Sequence, residues 1–180
     1  MNFKRILVAI NHSPLTSVVF DRSLNLAQQE QAKLMILHCL VDFTAINPGL
    51  QSGVTFGLYP INTGFSPSLR EETLQIEIEN AKIWLQEYCD QATARNIATE
   101  YQHHFGEPGA TISSIAQEWN ADLIVLGRHD HSAMGYAALE AIAEFFIGSV
   151  SNHVVDHANC SVLVIKDASP DKDKLKREEA

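Results

Sequence analysis

Leu123-Ile-Val-Leu-Gly-Arg-His-Asp-His131, followed at residue 148 by Gly-Ser-Val-Ser-Asn-His-Val154, decides the fold. Four consecutive apolar residues running into a glycine read as a strand covered on both faces. Gly127 lets backbone approach a ligand closely. The second stretch opens a helix, whose first N–H groups lack intrahelical partners and carry positive dipole character. A glycine turn beside a helix start describes a cradle for phosphate. Open α/β sheets place their ligands at this carboxyl end of the strands.

Outward from that stretch, Ile6-Leu-Val-Ala-Ile10 and Leu34 to Val41 are two more apolar strands. Ser13-Pro14 reads as the N-cap and first position of a helix carried by Phe20, Leu24 and Ala27. Leu74, Ile78, Ala81, Leu85 and Tyr88 mark a long helix; Pro108 starts another, with Ile112, Ile115, Ala116 and Trp119. Thr99 to Phe105 alternates, with Tyr101, His103 and Phe105 opposite Glu100, Gln102 and His104. That pattern predicts an edge strand with one solvated face. Ser161 to Ile165 is the last strand. Strands alternating with helices imply right-handed βαβ units. The expected fold is α/β: a doubly wound, five-stranded parallel sheet in a three-layer α/β/α sandwich. It forms one domain over residues 1–166, followed by a charged, disordered tail over 167–180. The long connection 42–66, rich in Gly and Pro, reads equally as a functional lid or a mobile segment.

Length and composition agree: 180 residues, 46% of them apolar, suffice for one sizeable core. No apolar run approaches the roughly 20 residues that span a bilayer. The start, Met1-Asn-Phe-Lys-Arg-Ile, leads directly into a strand without a signal-peptide pattern. Cys39, Cys89 and Cys160 are odd in number with no CxxC, which suits reduced thiols in a cytoplasmic protein, Cys39 being buried in its strand. The net charge of −9 resides in the body, because residues 166–180 carry five positive and five negative side chains. An acidic body argues against nucleic-acid binding, which relies on Lys and Arg to neutralise phosphates.

With these elements in place, the sequence resembles the universal stress protein family. Ile6-Leu-Val-Ala-Ile-Asn-His-Ser13 looks like its first strand and turn, and Leu37-His-Cys-Leu-Val41 like its second strand. Gly148 to Val154, followed by Cys160-Ser-Val-Leu-Val-Ile165, is similar to its C-terminal signature. The resemblance implies strand order 3-2-1-4-5 and a homodimer through the last strand, Ser161 to Ile165. It also implies a G-x2-G-x9-G-[S/T] motif for ATP. Position by position, Gly127, Gly148 and Ser149 match the motif, and Ala9, Asn11 and Val41 match positions around base and ribose. Leu126, Arg128, Val150 and Ser151 fall beside the phosphates.

The chain departs from the family pattern at three points. Asn11 replaces an aspartate, and Asp130 stands at the middle glycine. Residues 131–147 exceed the expected spacing by about two helical turns. A carboxylate a few ångströms from a polyphosphate costs about 1–4 kcal/mol. A bridging Mg²⁺ or Mn²⁺ reverses that sign, and AMP suffers less than ATP.

Residues 133–147, AMGYAALEAIAEFFI, are helix material that either packs on the core or offers Tyr136, Phe145 and Phe146 to a regulatory protein partner. His129-Asp-His131 and His153-x3-His157 have spacings a metal could use, but no third and fourth ligand is tied to either. His12 follows the first strand beside the expected ligand; a nucleotide contact and plain turn placement explain it equally. The chain has no GxSxG elbow and no Walker sequence. The leading expectation is a dimeric, cytoplasmic stress-response sensor that binds ATP or AMP. A nucleotide-independent adaptor and a slow ATP hydrolase are the alternatives.

Overall fold

The computed structural model describes residues 2–40, 67–128 and 149–166. Its strands are β1 (Arg5–Ile10), β2 (Lys33–Leu40), β3 (Thr99–Phe105), β4 (Leu123–Arg128) and β5 (Ser161–Lys166). They form a parallel sheet in the order β3-β2-β1-β4-β5, as expected. The helices are α1 (Thr16–Glu30), α2 (Pro67–Ala94), α3 (Pro108–Glu118) and α4 (Ser149–His157).

Alternation along each strand divides the interior into two layers. Ile6, Val8, Leu34, Ile36, Leu123 and Val125 pack with Val19, Phe20 and Leu24 of α1 and Leu85 of α2. Leu7, Met35, Leu37, Ile124 and Leu126 pack with Ile112 and Ile115 of α3 and Val154 of α4. Both faces of the central strands are therefore covered, which explains their uninterrupted apolar runs. Of the helical stripes read from spacing, Phe20, Leu24, Ala27, Ala81, Leu85, Ile112, Ile115, Ala116 and Trp119 are buried, whereas Leu74, Ile78 and Tyr88 of α2 are only half-buried.

Two local expectations need correcting. Helix α1 starts at Thr16, not at Ser13-Pro14. Ser13 instead lies in a tight turn: its N–H donates to the Asn11 carbonyl at 2.9 Å, and the Thr16 N–H donates to the Ser13 carbonyl at 3.1 Å. The Thr16 hydroxyl also donates to the Asn11 carbonyl, so local bonds replace the first helical turn. β3 is an edge strand, yet it lacks one plainly solvated face. Tyr101 packs on the α1/α2 core, and across the sheet the Trp119 Nε1–H donates to Glu100 at 2.6 Å. The connection 42–66, the segment 133–147 and the tail 167–180 lie outside the described residues.

Candidate functional site at the sheet switch point

β1 and β4 pair from Ile6 beside Leu123 to Ala9 beside Leu126, and there the pairing stops. Beyond it β1 stays with β2, Ile10 beside His38. β4 stays with β5, Gly127 beside Ile165 and Arg128 beside Lys166. The two halves of the sheet thus part at their carboxyl ends. The chain leaves β1 for α1 on one face, while α4 lies on the other. This is the topological switch point, the position at which open α/β sheets have a ligand crevice.

Several expected site residues meet here. Ala9 is half-buried at the last paired position and presents only a methyl group. Asn11 is exposed, with its carbonyl and its Oδ1 both accepting from the Thr16 hydroxyl, the latter at 3.3 Å. Arg128 is half-buried, and its Nη1–H donates to Asn152 Oδ1 of α4 at 3.3 Å, leaving a cation beside the helix start. α4 begins at Ser149.

Other residues have first duties elsewhere. Leu126 is buried in the α3/α4 layer, so only its backbone faces the switch point. Val150 packs on the same layer, and Ser151 is 2% exposed. A Cβ on Gly127 would stand 3.0 Å from Leu15 Cδ2 and 3.1 Å from Val19 Cγ2. This glycine therefore admits α1 to the sheet, a packing role that its sequence context did not reveal. Val41, Asp130 and Gly148 lie outside the described residues.

Sequence reasoning missed a ring cluster on the α1/α2 face. His38, 5% exposed, has Nδ1 3.0 Å from the Ile10 carbonyl. A carbonyl only accepts, so Nδ1 carries the proton. The His12 ring lies on Trp84 at 4.1 Å between centroids, and His38 meets Trp84 edge-on at 5.1 Å and His12 at 5.3 Å. Tyr88 continues the row to Phe20. Burial holds the His38 imidazole below its ordinary value; the Ile10 hydrogen bond opposes this, and His12 and His103 push it further down. The register signal was present, since Ile10, His38 and His103 share one row across three strands.

The remaining titratable candidates do little here. Burial, with Glu107 adding, pushes the Cys39 thiol up to about 12, so it stays protonated and poorly nucleophilic. Cys39 is half-buried rather than fully enclosed. His153 and His157 stack at 4.1 Å, and the His157 Nδ1 lies 2.9 Å from the His153 carbonyl. Among the described residues no group of three or more His, Cys, Asp or Glu side chains could hold a metal.

Comparison with known proteins settles the family. Residues 2–166 match the universal stress protein family, and a 34% identical relative, the universal stress protein Sll1388 of Synechocystis, aligns with 92% of this chain and 99% of its own length. The chain belongs to the universal stress protein family. Among solved universal stress proteins, UspA from Lactobacillus plantarum is 26% identical with a TM-score of 0.65, covering 92% of this chain and 99% of that one. The fold is also shared with the universal stress protein of Archaeoglobus fulgidus solved with dAMP, at 20% identity and a TM-score of 0.55 over 92% of this chain and 100% of that one. A universal stress protein of Arabidopsis thaliana with AMP bound is 18% identical, with a TM-score of 0.54 over 92% and 93% of the two chains.

Proposed function

We propose that this universal stress protein binds an adenine nucleotide, ATP or AMP, between the parted ends of β1 and β4. In this reading it acts as a dimeric stress-response sensor in the cytoplasm. The observation that carries the reading is the end of β1–β4 pairing at Ala9 and Leu126, with α1 and α4 on opposite faces of the sheet. The nucleotides bound by relatives of the same fold support it.

The residues at the opening suit such a ligand. Ala9 leaves room for a flat base, for which Val41 is the second contact in this reading. Asn11 offers an amide to a ribose hydroxyl. Main-chain N–H groups at Gly127 and from Gly148 through Val150 to Ser151 meet phosphates, with the Ser149 hydroxyl beside them. The Arg128 guanidinium, with Lys166 beside it on β5, supplies positive charge there in an acidic chain. Leu126 contributes through its backbone. Asp130 opposes the phosphates unless Mg²⁺ or Mn²⁺ lies between them.

The dimer contact in this reading is β5. It closes one edge of the sheet, and its Leu163 is 40% exposed. Exposed strand edges readily pair with a second chain. Among the described residues no helix is long and apolar enough to cross a membrane.

Calorimetric titration with ATP and with AMP, each with and without Mg²⁺ or Mn²⁺, tests the reading. Saturable binding of either at micromolar to millimolar concentration is expected. No binding of either under any condition overturns it.

A further inference from the structure

We propose that Gly109 of α3 is a positioning residue for the phosphate end of the crevice: having no side chain, it sets how closely α4 lies on α3, and so where the first turn of α4 stands. The inference rests on the nucleotide reading above, in which N–H groups of that turn meet phosphates.

Gly109 is buried, and a Cβ on it would stand 2.9 Å from both Cβ and Cγ of His153 and 3.0 Å from its Cδ2. Unstrained carbon–carbon contacts lie at about 3.5–4.0 Å, so the space is short by roughly 0.6–1.1 Å. Turning the imidazole relieves the Cγ and Cδ2 contacts only. The His153 Cβ is fixed to the backbone, so one of the two helices has to move.

α3 is the better held of the pair. The Glu107 carboxylate caps its start, accepting from the Gly109 N–H at 2.9 Å and the Ala110 N–H at 2.6 Å. Ile112, Ile115 and Ala116 bury its inner face. Of the α4 side chains from 150 to 157, only Ser151 and Val154 are buried. α4 is therefore the helix that shifts. His153 lies about one turn beyond its first residue, Ser149, and backbone hydrogen bonds make so short a helix move as a unit. Asn152, next to His153, accepts from the Arg128 guanidinium at 3.3 Å, so the same displacement reaches the cation at the end of β4. Binding groups lose their grip when displaced by more than roughly 0.5 Å, less than the shortfall at Gly109.

Gly109→Ala tests this, read by calorimetric titration with AMP and ATP and, without ligand, by the amide resonances of Val150, Ser151 and Asn152. Those resonances should shift, and nucleotide affinity should fall about tenfold. In a His153→Gly background, where no side chain stands opposite the new methyl group, the same substitution should cost less than about twofold. Unmoved amides, unchanged affinity, or an equal loss in both backgrounds overturns the inference and leaves the nucleotide reading standing. If Gly109→Ala alone does not fold, the paired variant decides. Affinity equal to that of His153→Gly supports the contact; lower affinity, or failure of the pair to fold, overturns it. Absence of AMP and ATP binding in the wild type defeats the nucleotide reading, and the role of Gly109 with it.

Discussion

At the amino-terminal end of the sheet β1 and β4 are laced together, whereas at the carboxyl end the same two strands separate. Asp122, just before β4, accepts from the N–H groups of Lys4 at 2.7 Å and Arg5 at 3.2 Å. Its own N–H donates to the Arg5 carbonyl at 2.9 Å, and its carbonyl accepts from Ser161 at 3.3 Å. The Arg5 guanidinium lies 4.3 Å over Trp119, whose indole is tied to Glu100. That end spends most of its polar groups on one another, Arg5 Nε alone among the described residues being buried without a hydrogen-bond partner. The opposite end leaves Asn11 exposed and Arg128 half-buried, its guanidinium reaching Asn152 in the first turn of α4. Stability is thus concentrated at one end of the strands and binding potential at the other, as expected when a rigid scaffold carries its site on loops.

The contrast is most easily broken at the laced end. Asp122→Ala should cost about 2 kcal/mol in urea unfolding, because it removes the acceptor of the part-buried Arg5 N–H and of the exposed Lys4 N–H. AMP affinity at the distant end should change little; a large loss would mean that the two ends are not separate. Next in size, Gly127→Ala should cost about 1–2 kcal/mol, since its Cβ presses on Leu15 and Val19. Stability unchanged in that variant would deny its packing role and return the glycine to the ligand alone.

Smaller effects sharpen the comparison. Arg128→Gln should weaken AMP binding by roughly fivefold, the share of a partly exposed charged contact, with melting temperature nearly constant. Equal affinity would remove Arg128 from the site. The smallest effect is a slope. His38 and His103 are both held below their ordinary value by burial, so the folded chain binds fewer protons than the unfolded one. Stability should then be complete above about pH 6.5 and decline as pH falls through the lowered values. His38→Gln should flatten that decline in pH-dependent denaturation; an unaltered slope would assign it to other groups.

Much of the scaffold was legible before any coordinates. The apolar runs Ile6–Ile10 and Leu123–Leu126 announce strands buried on both faces, and the 3.6-residue stripes of α1 and α3 name their inward residues, while that of α2 names only Ala81 and Leu85 among fully buried ones. The start of α1 was misread because Ser13-Pro14 has the chemistry of a cap, while the Thr16 hydroxyl took over that bonding from inside the helix. Of the expected site residues, Ala9, Asn11 and Arg128 lie around the switch point, whereas Gly127 there makes room for Leu15 and Val19. The ring cluster escaped because His12, His38 and Trp84 are far apart in sequence and no local pattern joins them.

By itself the sequence determined the alternation of elements, the faces they bury and the family. Periodicity and apolar runs are local properties, set by the geometry of helix and strand. Only the tertiary structure decided where pairing between β1 and β4 ends, what Gly127 makes room for and which histidines share a cage. Those are relations between distant segments, fixed by strand register and by packing across the sheet rather than by any residue's neighbours in the chain.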